Sequence, residues 1–319
     1  MWVADMDFQT APCIIEALQK RVAHGIFGYT LVPDSYYEAI VSWFARRHQW
    51  NIEKDWILYT SGVVPAISCC LKAICMPGEK VLVQTPVYNC FFSCIKNSGC
   101  EVVENELKRV GNCTYEIDFE DFERRAADPK TKLILWCNPH NPTGRMWTEE
   151  ELAKVGEIAK KYDLWLISDE IHCDLIRHGK RHIPMGKVLP DYKKLITCMS
   201  ASKTFNLAGL MFSNIIIRDP KLRETFTQKD KNVGFVNPVS LAAHTAAYQK
   251  GREWLEELKL YLDENFAFLD SFLKKYFPEA VYNIPEATYL AWIDMRNCLP
   301  GVENLPDFFA NKAGVLLEG

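Results

Sequence analysis

Short apolar runs alternate with amphipathic helical patterns between residues 56 and 217, and this alternation constrains the fold more than any other feature. Runs of four or five mostly apolar residues have the length of strands that are buried on both faces. The runs that we interpret as strands are residues 81–84, 133–137, 164–167, 195–199 and 214–217. Helical segments between successive strands imply a sheet whose strands are largely parallel. The predicted fold class is therefore α/β, with helices flanking a mostly parallel sheet.

The clearest helix covers residues 148–162, where apolar side chains recur at helical spacing. Thr148 is suited to cap its first turn, because Glu151 follows three residues later and completes a capping box. After Pro238 the pattern changes to long helices. These are predicted over residues 239–250 and 253–276, and a strand is predicted over residues 288–293.

This change of pattern suggests two domains, which is compatible with a chain of 319 residues. We predict a large domain over residues 25–238. A smaller α+β domain would consist of residues 1–24 and 239–319.

Three polar motifs closely follow predicted strands. They are Asn138-Pro-His-Asn-Pro-Thr-Gly144, Ile167-Ser-Asp-Glu-Ile-His172 and Ser200-Ala-Ser-Lys-Thr-Phe-Asn-Leu-Ala-Gly-Leu210. Ligands of parallel sheets bind beyond the carboxyl ends of the strands. We therefore expect Asn141, Asp169 and Lys203 to converge on one edge of the sheet.

Lys203 lies in a turn of small residues, although a lysine ammonium is strongly hydrated and prefers open water. The placement is explained if the amine forms a covalent bond. Asp169 follows a buried strand, where a carboxylate needs a cationic partner. Simpler roles exist for each residue alone: a surface lysine, an N-cap at Asp169, and at Asn141 an asparagine chosen for its turn propensity.

Composition excludes several classes of protein. The net charge of −4 and the pI near 6.0 argue against a nucleic-acid-binding surface. No apolar run approaches the roughly 20 residues that a membrane span needs, and the N-terminus lacks a signal-peptide pattern. We therefore expect a cytoplasmic protein. The 12 cysteines include no Cys-x-x-Cys pair, so we interpret them as buried thiols rather than as metal ligands.

The three motifs together resemble the pyridoxal-phosphate enzymes of aminotransferase fold type I. Within that superfamily the chain looks most like the cystathionine β-lyase (MalY–PatB-type) C–S lyases, over nearly all of its length. The resemblance implies that Lys203 forms a Schiff base with the cofactor and later acts as a base. It also implies that Asp169 keeps the pyridine nitrogen protonated, and that Asn141 donates to the phenolic oxygen.

The same resemblance implies further cofactor contacts. Tyr88 matches an aromatic that stacks on the pyridine ring, and Tyr29 matches a tyrosine that reaches the phosphate of the neighbouring subunit of a homodimer. His172 can tune the cofactor or satisfy a hydrogen bond in the core. The residues that resemble a phosphate-binding cup, or that are small donors beside the lysine, are Ser61, Gly62, Val63, Val64, Ser200 and Ser202.

Two features favour a lyase over an aminotransferase. Met211 stands where many relatives carry an arginine, and the N-terminal segment Trp2-Val-Ala-Asp-Met-Asp-Phe8 resembles the C–S lyase branch. The implied reaction is β-elimination from L-cystathionine or another S-substituted cysteine, giving a thiol, pyruvate and ammonia. The alternatives are an amino-acid aminotransferase with the same cofactor residues, and a non-catalytic or regulatory relative.

The chains that it resembles begin earlier and continue further. The resemblance places an arginine for the substrate α-carboxylate near their C-terminus, beyond Gly319. We therefore expect that the 319 residues alone, if they were the whole gene product, would handle substrate poorly.

Overall fold

The computed structural model of the protein describes residues 5–229 and 236–317. Its centre is a seven-stranded sheet with the order β1-β9-β8-β7-β6-β2-β3. The strands of this sheet are β1 (Ile57–Thr60), β2 (Lys80–Thr85), β3 (Glu101–Glu106), β6 (Thr131–Cys137), β7 (Trp165–Asp169), β8 (Leu195–Met199) and β9 (Ser213–Ile217). Two small hairpins pair β4 (Lys108–Val110) with β5 (Thr114–Glu116) and β10 (Val281–Tyr282) with β11 (Ile293–Asp294).

Most of the central sheet is parallel, as predicted. Strands β3, β2, β6, β7 and β8, adjacent in that order, run parallel to one another. Strand β9 runs antiparallel to both β8 and β1. All five predicted strands are present, with bounds that differ from the prediction by at most two residues. The carboxyl ends of the parallel strands and the start of β9 therefore lie at the same edge.

Helices cover the sheet on both faces. They are α1 (Pro12–His24), α2 (Asp34–His48), α3 (Val63–Ile74), α4 (Cys90–Asn97), α5 (Phe119–Ala126), α6 (Glu149–Lys161), α7 (Met185–Val188), α8 (Ala201–Thr204), α9 (Pro220–Lys229), α10 (Pro238–Lys250), α11 (Arg252–Tyr276) and α12 (Leu305–Phe308). The predicted capping box is present at the start of α6: Glu151 N donates to Thr148 Oγ1, and Thr148 N donates to Glu151 Oε2. The predicted helices after Pro238 are α10 and α11.

The core explains why these strands are continuously apolar. Val81 and Val83 of β2 belong to one buried cluster, whereas Leu82 belongs to the cluster on the other face. A strand that is buried on both faces needs apolar residues at every position. A third cluster joins α1, α2, α10 and α11.

The predicted strand over residues 288–293 is wrong for most of its length, because only Ile293–Asp294 is a strand. Thr288 has φ +69°, which a strand does not allow. Its N–H donates to Leu175 O, and its carbonyl accepts from Arg177 Nη2. These bonds hold the segment against the loop after β7. Trp2, Val3 and Ala4 of the lyase-like N-terminal motif lie outside the described residues.

Candidate active site

The sheet brings the three polar motifs to one edge. Cys137 at the end of β6 is paired in register with Asp169 at the end of β7, and Asp169 is paired with Cys198 of β8. Beyond these pairs, Asn138 N donates to Asp169 O at 2.9 Å. The loops that carry Asn141 and Lys203 therefore begin beside Asp169, as expected for a crevice at the ends of parallel strands.

Lys203 lies in the one-turn helix α8, directly after β8. Ser200 caps this helix: its Oγ accepts from Ser202 N at 3.0 Å and donates to Phe212 O at 2.7 Å. The Ser200 side chain thus ties the lysine turn to the residue before β9. Lys203 is half-buried, and it lies close enough to Asp169 and His172 for its charge to act on both.

Asp169 is 5% exposed at the carboxyl end of β7. Burial raises the pKa of its carboxyl to about 7, against a hydrogen bond from Ile171 N and the positive charge of Lys203, which lower it. Its Oδ1 accepts that hydrogen bond at 3.1 Å. A buried carboxylate of this kind strongly favours a cation beside it.

His172 lies in the turn that follows Asp169 and is buried. Burial and the charge of Lys203 lower the pKa of its imidazole to about 3, so the ring is neutral. Its Nδ1 is buried and has no hydrogen-bond partner among the described residues. The ring packs edge-on against Tyr289, with centroids 5.8 Å apart. The structure therefore gives no core hydrogen bond to Nδ1.

The loop of Asn141 is fixed by its own side chains. Asn141 N donates to Cys137 Sγ at 3.3 Å, and His140 Nδ1 lies 2.9 Å from Thr143 Oγ1. Gly144 has φ +67°, and a Cβ there would collide with Pro285. Glycine is thus required both for the backbone conformation and for the close packing of the loop.

The other predicted residues lie around this edge, with one exception. Ser61 and Gly62 follow β1, and α3 begins at Val63 without a side-chain cap from the described residues. Tyr88 is half-buried between β2 and α4. Tyr29 is the exception, since it lies in the connection between α1 and α2 and is 89% exposed.

Sequence reasoning did not identify a second buried polar group beside the site. Glu170 is fully buried; its Oε1 accepts from Ser168 Oγ and Met185 N, and its Oε2 lies 2.8 Å from His182 Nε2. The adjacent acids in Asp169-Glu170 were visible in the sequence. Their partners could not be assigned, because His182 lies beyond the motif on an irregular loop.

One group in the described residues has the spacing of a metal site: ligand atoms of His48, Cys173 and Asp174 lie within 4.8 Å of one another. The Asp174 carboxylate is already paired, however. Arg47 Nε lies 2.8 Å from its Oδ1, and Trp43 Nε1 donates to its Oδ2. A cation would have to compete with the Arg47 guanidinium, so we assign this group no metal.

Comparison with known proteins places the chain among characterised relatives. It is 39% identical over 321 residues to cystathionine beta-lyase PatB of Bacillus subtilis, covering 100% of this chain and 83% of the relative. It is 36% identical to protein MalY of Escherichia coli, covering 92% of this chain and 76% of the relative.

Solved structures of similar proteins agree with these sequence comparisons. The PLP-bound C-S lyase from Staphylococcus hominis has a TM-score of 0.96 and 44% identity, covering 100% of this chain and 82% of that one. Cystalysin from Treponema denticola, which contains a pyridoxal 5'-phosphate cofactor, has a TM-score of 0.95 and 38% identity, covering 98% of this chain and 80% of that one. The family model for aminotransferase class I and II matches residues 3–311. The chain therefore belongs to the aminotransferase class I and II family.

Proposed function

We propose that the protein is a pyridoxal-phosphate-dependent C–S lyase. It cleaves L-cystathionine or a related S-substituted cysteine by β-elimination to a thiol, pyruvate and ammonia. The observation that carries this proposal is the proximity of Lys203 to the buried Asp169 carboxylate at the edge of a parallel sheet. The names of PatB, of the S. hominis C-S lyase and of cystalysin support the assignment.

The residues at this edge fit the cofactor chemically. A protonated ring nitrogen supplies the cation that the buried Asp169 carboxylate favours. The buried Nδ1 of His172 offers a further polar atom that no described residue uses. Lys203 supplies an amine for the cofactor aldehyde. Asn141 would donate to the phenolic oxygen, and Tyr88 would stack on the ring.

The phosphate would bind at the start of α3. Backbone N–H groups at a helix N-terminus favour an anion, and α3 begins without a side-chain cap from the described residues. The residues assigned to the phosphate are Ser61, Gly62, Val63, Val64, Ser200 and Ser202. Of these, Ser200 already uses its hydroxyl to hold the lysine turn, so its contribution would be to position that turn.

The reaction needs a group that takes the substrate α-proton and a way to stabilise the negative charge that develops. When bound, pyridoxal phosphate supplies an electron sink for the charge that develops as the substrate α-proton leaves. The Lys203 amine would take that proton. Asp169 would remain anionic and would keep the ring nitrogen protonated. The thiolate would then leave from the β-carbon, and water would hydrolyse the remaining three-carbon enamine to pyruvate and ammonia.

We further propose a homodimer in which Tyr29 reaches the phosphate in the neighbouring subunit. Ile26, Phe27, Tyr29 and Leu31 are large apolar or aromatic residues that are more than half exposed in the single chain. A cluster of this kind is typical of a protein interface.

A cytoplasmic location suits the 12 cysteines, all of which are free thiols.

The test is the product balance from L-cystathionine with added pyridoxal phosphate and no keto acid. We expect thiol, pyruvate and ammonia in equal amounts, and no release from Lys203→Ala. Turnover that requires a keto acid and yields no thiol would show an aminotransferase instead. No turnover under either condition, from a protein that binds the cofactor, would support a non-catalytic relative.

A further inference from the structure

A buried carboxylate outside the proposed cofactor contacts joins two distant elements. Asp174 follows Asp169 by five residues and is 2% exposed. Three of its neighbours come from α2: Trp43 Nε1 donates to Oδ2 at 3.1 Å, Arg47 Nε lies 2.8 Å from Oδ1, and His48 Nε2 lies 3.0 Å from Oδ1.

The fourth neighbour belongs to the lysine helix. Thr204, which is fully buried, donates from Oγ1 to Asp174 Oδ2 at 3.3 Å. On the other side of Lys203, Ser202 N donates to the capping Ser200. The two residues that flank the lysine are therefore each hydrogen-bonded to a buried side chain.

Asp174 keeps its charge in this position. Burial alone would raise the pKa of its carboxyl, but the hydrogen bond from His48 and the charge of Arg47 outweigh burial and hold the pKa at about 2. The anion is thus a permanent acceptor, and its donors come from helices on either side of it. The Trp43 ring also packs edge-on against Phe205, the residue after Thr204, with centroids 5.9 Å apart.

We propose that Asp174 and Thr204 form a positioning pair that fixes the Lys203 amine for bond formation with the cofactor and for proton transfer. This inference rests on the proposed function. It assigns neither residue a contact with substrate or cofactor. Asp174 anchors Thr204 to α2, and Thr204 in turn prevents α8, which is only one turn long, from shifting.

The decisive variant is Thr204→Val, which removes the hydroxyl but keeps the shape of the side chain. Misplacement of a reacting group by about 1 Å costs on the order of 100-fold in rate. Because Thr204→Val should release the lysine turn only in part, we expect kcat to fall by about ten-fold. KM should stay within about two-fold of the native value. Thr204→Ser keeps the hydroxyl and should stay within about two-fold of the native kcat.

The second readout does not depend on turnover. Cofactor-free protein is mixed with pyridoxal phosphate, and the rate of bond formation at Lys203 is followed by visible absorbance. We expect Thr204→Val to lower this rate by about ten-fold at fixed pH. The matched control is Thr131→Val: Thr131 is equally buried and donates to Arg125 O at 2.9 Å, but it lies at the opposite end of β6.

Trp43→Phe supplies a second variant in case Thr204→Val does not fold. It removes one donor to Asp174 but keeps an aromatic ring, and a smaller loss in both readouts is expected. Native rates in Thr204→Val, or equal losses in Thr131→Val or Thr204→Ser, would overturn the positioning pair. Absence of lyase turnover in the native protein would instead overturn the proposed function, while the bond-formation rates would still test the pair.

Discussion

Two aspartates five residues apart, Asp169 at the end of β7 and Asp174 in the turn that follows, show how local environment decides the role of a carboxyl group. Asp169 and Asp174 are both buried. Asp174 is surrounded by donors that hold its pKa at about 2, whereas burial raises the pKa of Asp169 to about 7. Asp174 is therefore satisfied within the protein, and Asp169 is the carboxylate that gains most from a cationic ligand.

This difference gives the ligand-free protein a specific pH dependence. The folded protein retains the Asp169 proton up to pH about 7, whereas the unfolded chain releases it near pH 4. The folded state therefore binds more protons in this window, and its stability falls as the pH rises through it. The contribution of Asp169 to the free energy of unfolding should decrease by about 4 kcal/mol in total.

Asp169→Asn should remove this contribution. In chemical denaturation without cofactor, the free energy of unfolding of the variant should increase relative to that of the native protein from pH 4 to pH 8. This increase should be smaller when pyridoxal phosphate is bound. Asp163→Asn, at an aspartate whose side chain is 85% exposed, is the control. Parallel stability curves for Asp169→Asn and the native protein would contradict the assigned environment of Asp169.

At the scale of elements, much of the fold could be predicted because the signals are local. Continuous apolar runs indicated the buried strands, and the Thr148 capping box indicated the start of α6. The convergence of Asn141, Asp169 and Lys203 followed from strand order, because the carboxyl ends of parallel strands share one edge. The structure bears out this part of the site geometry, while the chemical roles of these residues stay proposals.

What could not be predicted depends on contacts that are distant in sequence. His48 and Asp174 are separated by 126 positions, and no local pattern links α2 to the turn after β7. The predicted strand over residues 288–293 failed because Thr288 is held at positive φ by bonds to Leu175 and Arg177. As a result Tyr289, which packs against His172, was not recognised as a neighbour of the site.

Helix α6 provides a test of packing against helix propensity. Gly156 lies inside this helix, and a Cβ there would overlap the Leu189 side chain. Alanine should gain about 1 kcal/mol in helix propensity, but overpacking in a filled core costs about 1–3 kcal/mol. We therefore expect Gly156→Ala to lower the midpoint of denaturant unfolding. Gly111→Ala is not a suitable control, because Gly111 has φ +50° and alanine would be strained in that backbone conformation.

A better control is Lys154→Ala, which tests an ordinary substitution on the same helix. Its ammonium lies over the Phe119 ring at 4.2 Å, so a small loss, within about 1 kcal/mol, is expected. A Gly156→Ala variant that is more stable than the native protein would contradict the close packing of Leu189 against α6.

At the scale of the whole molecule, our proposal is that a second subunit completes the site. Among the helices that the structure describes, none has the length and apolar character needed to span a bilayer. The division into a large domain over residues 25–238 and a small domain from residues 1–24 and 239–319 stays a prediction.

Subunit mixing tests the contribution of Tyr29 across the interface. Tyr29→Ala and Lys203→Ala should each be nearly inactive as homodimers. Mixed dimers should regain lyase activity, because one of their two sites combines a native Lys203 with a native Tyr29.

 A second mixture combines Lys203→Ala with Asp169→Asn. That pair should not regain activity, because both residues serve their own subunit's site and each site of the mixed dimer keeps one defect.

The pair of Lys203→Ala with Asp169→Asn is therefore the negative control for subunit mixing. Recovery of activity in the Tyr29→Ala mixture alone would support a shared site. No recovery there, from mixtures shown to contain mixed dimers, would contradict the role of Tyr29 in the neighbouring subunit.

A single experiment links cofactor attachment at Lys203 to lyase activity. The holoenzyme is treated with increasing amounts of borohydride, which makes the bond to the cofactor permanent, and the modified lysine is located by peptide mass spectrometry. We expect the cofactor on Lys203, and pyruvate release from L-cystathionine should fall in proportion to the labelled fraction. Attachment at another lysine, or full activity with Lys203 completely labelled, would contradict the account.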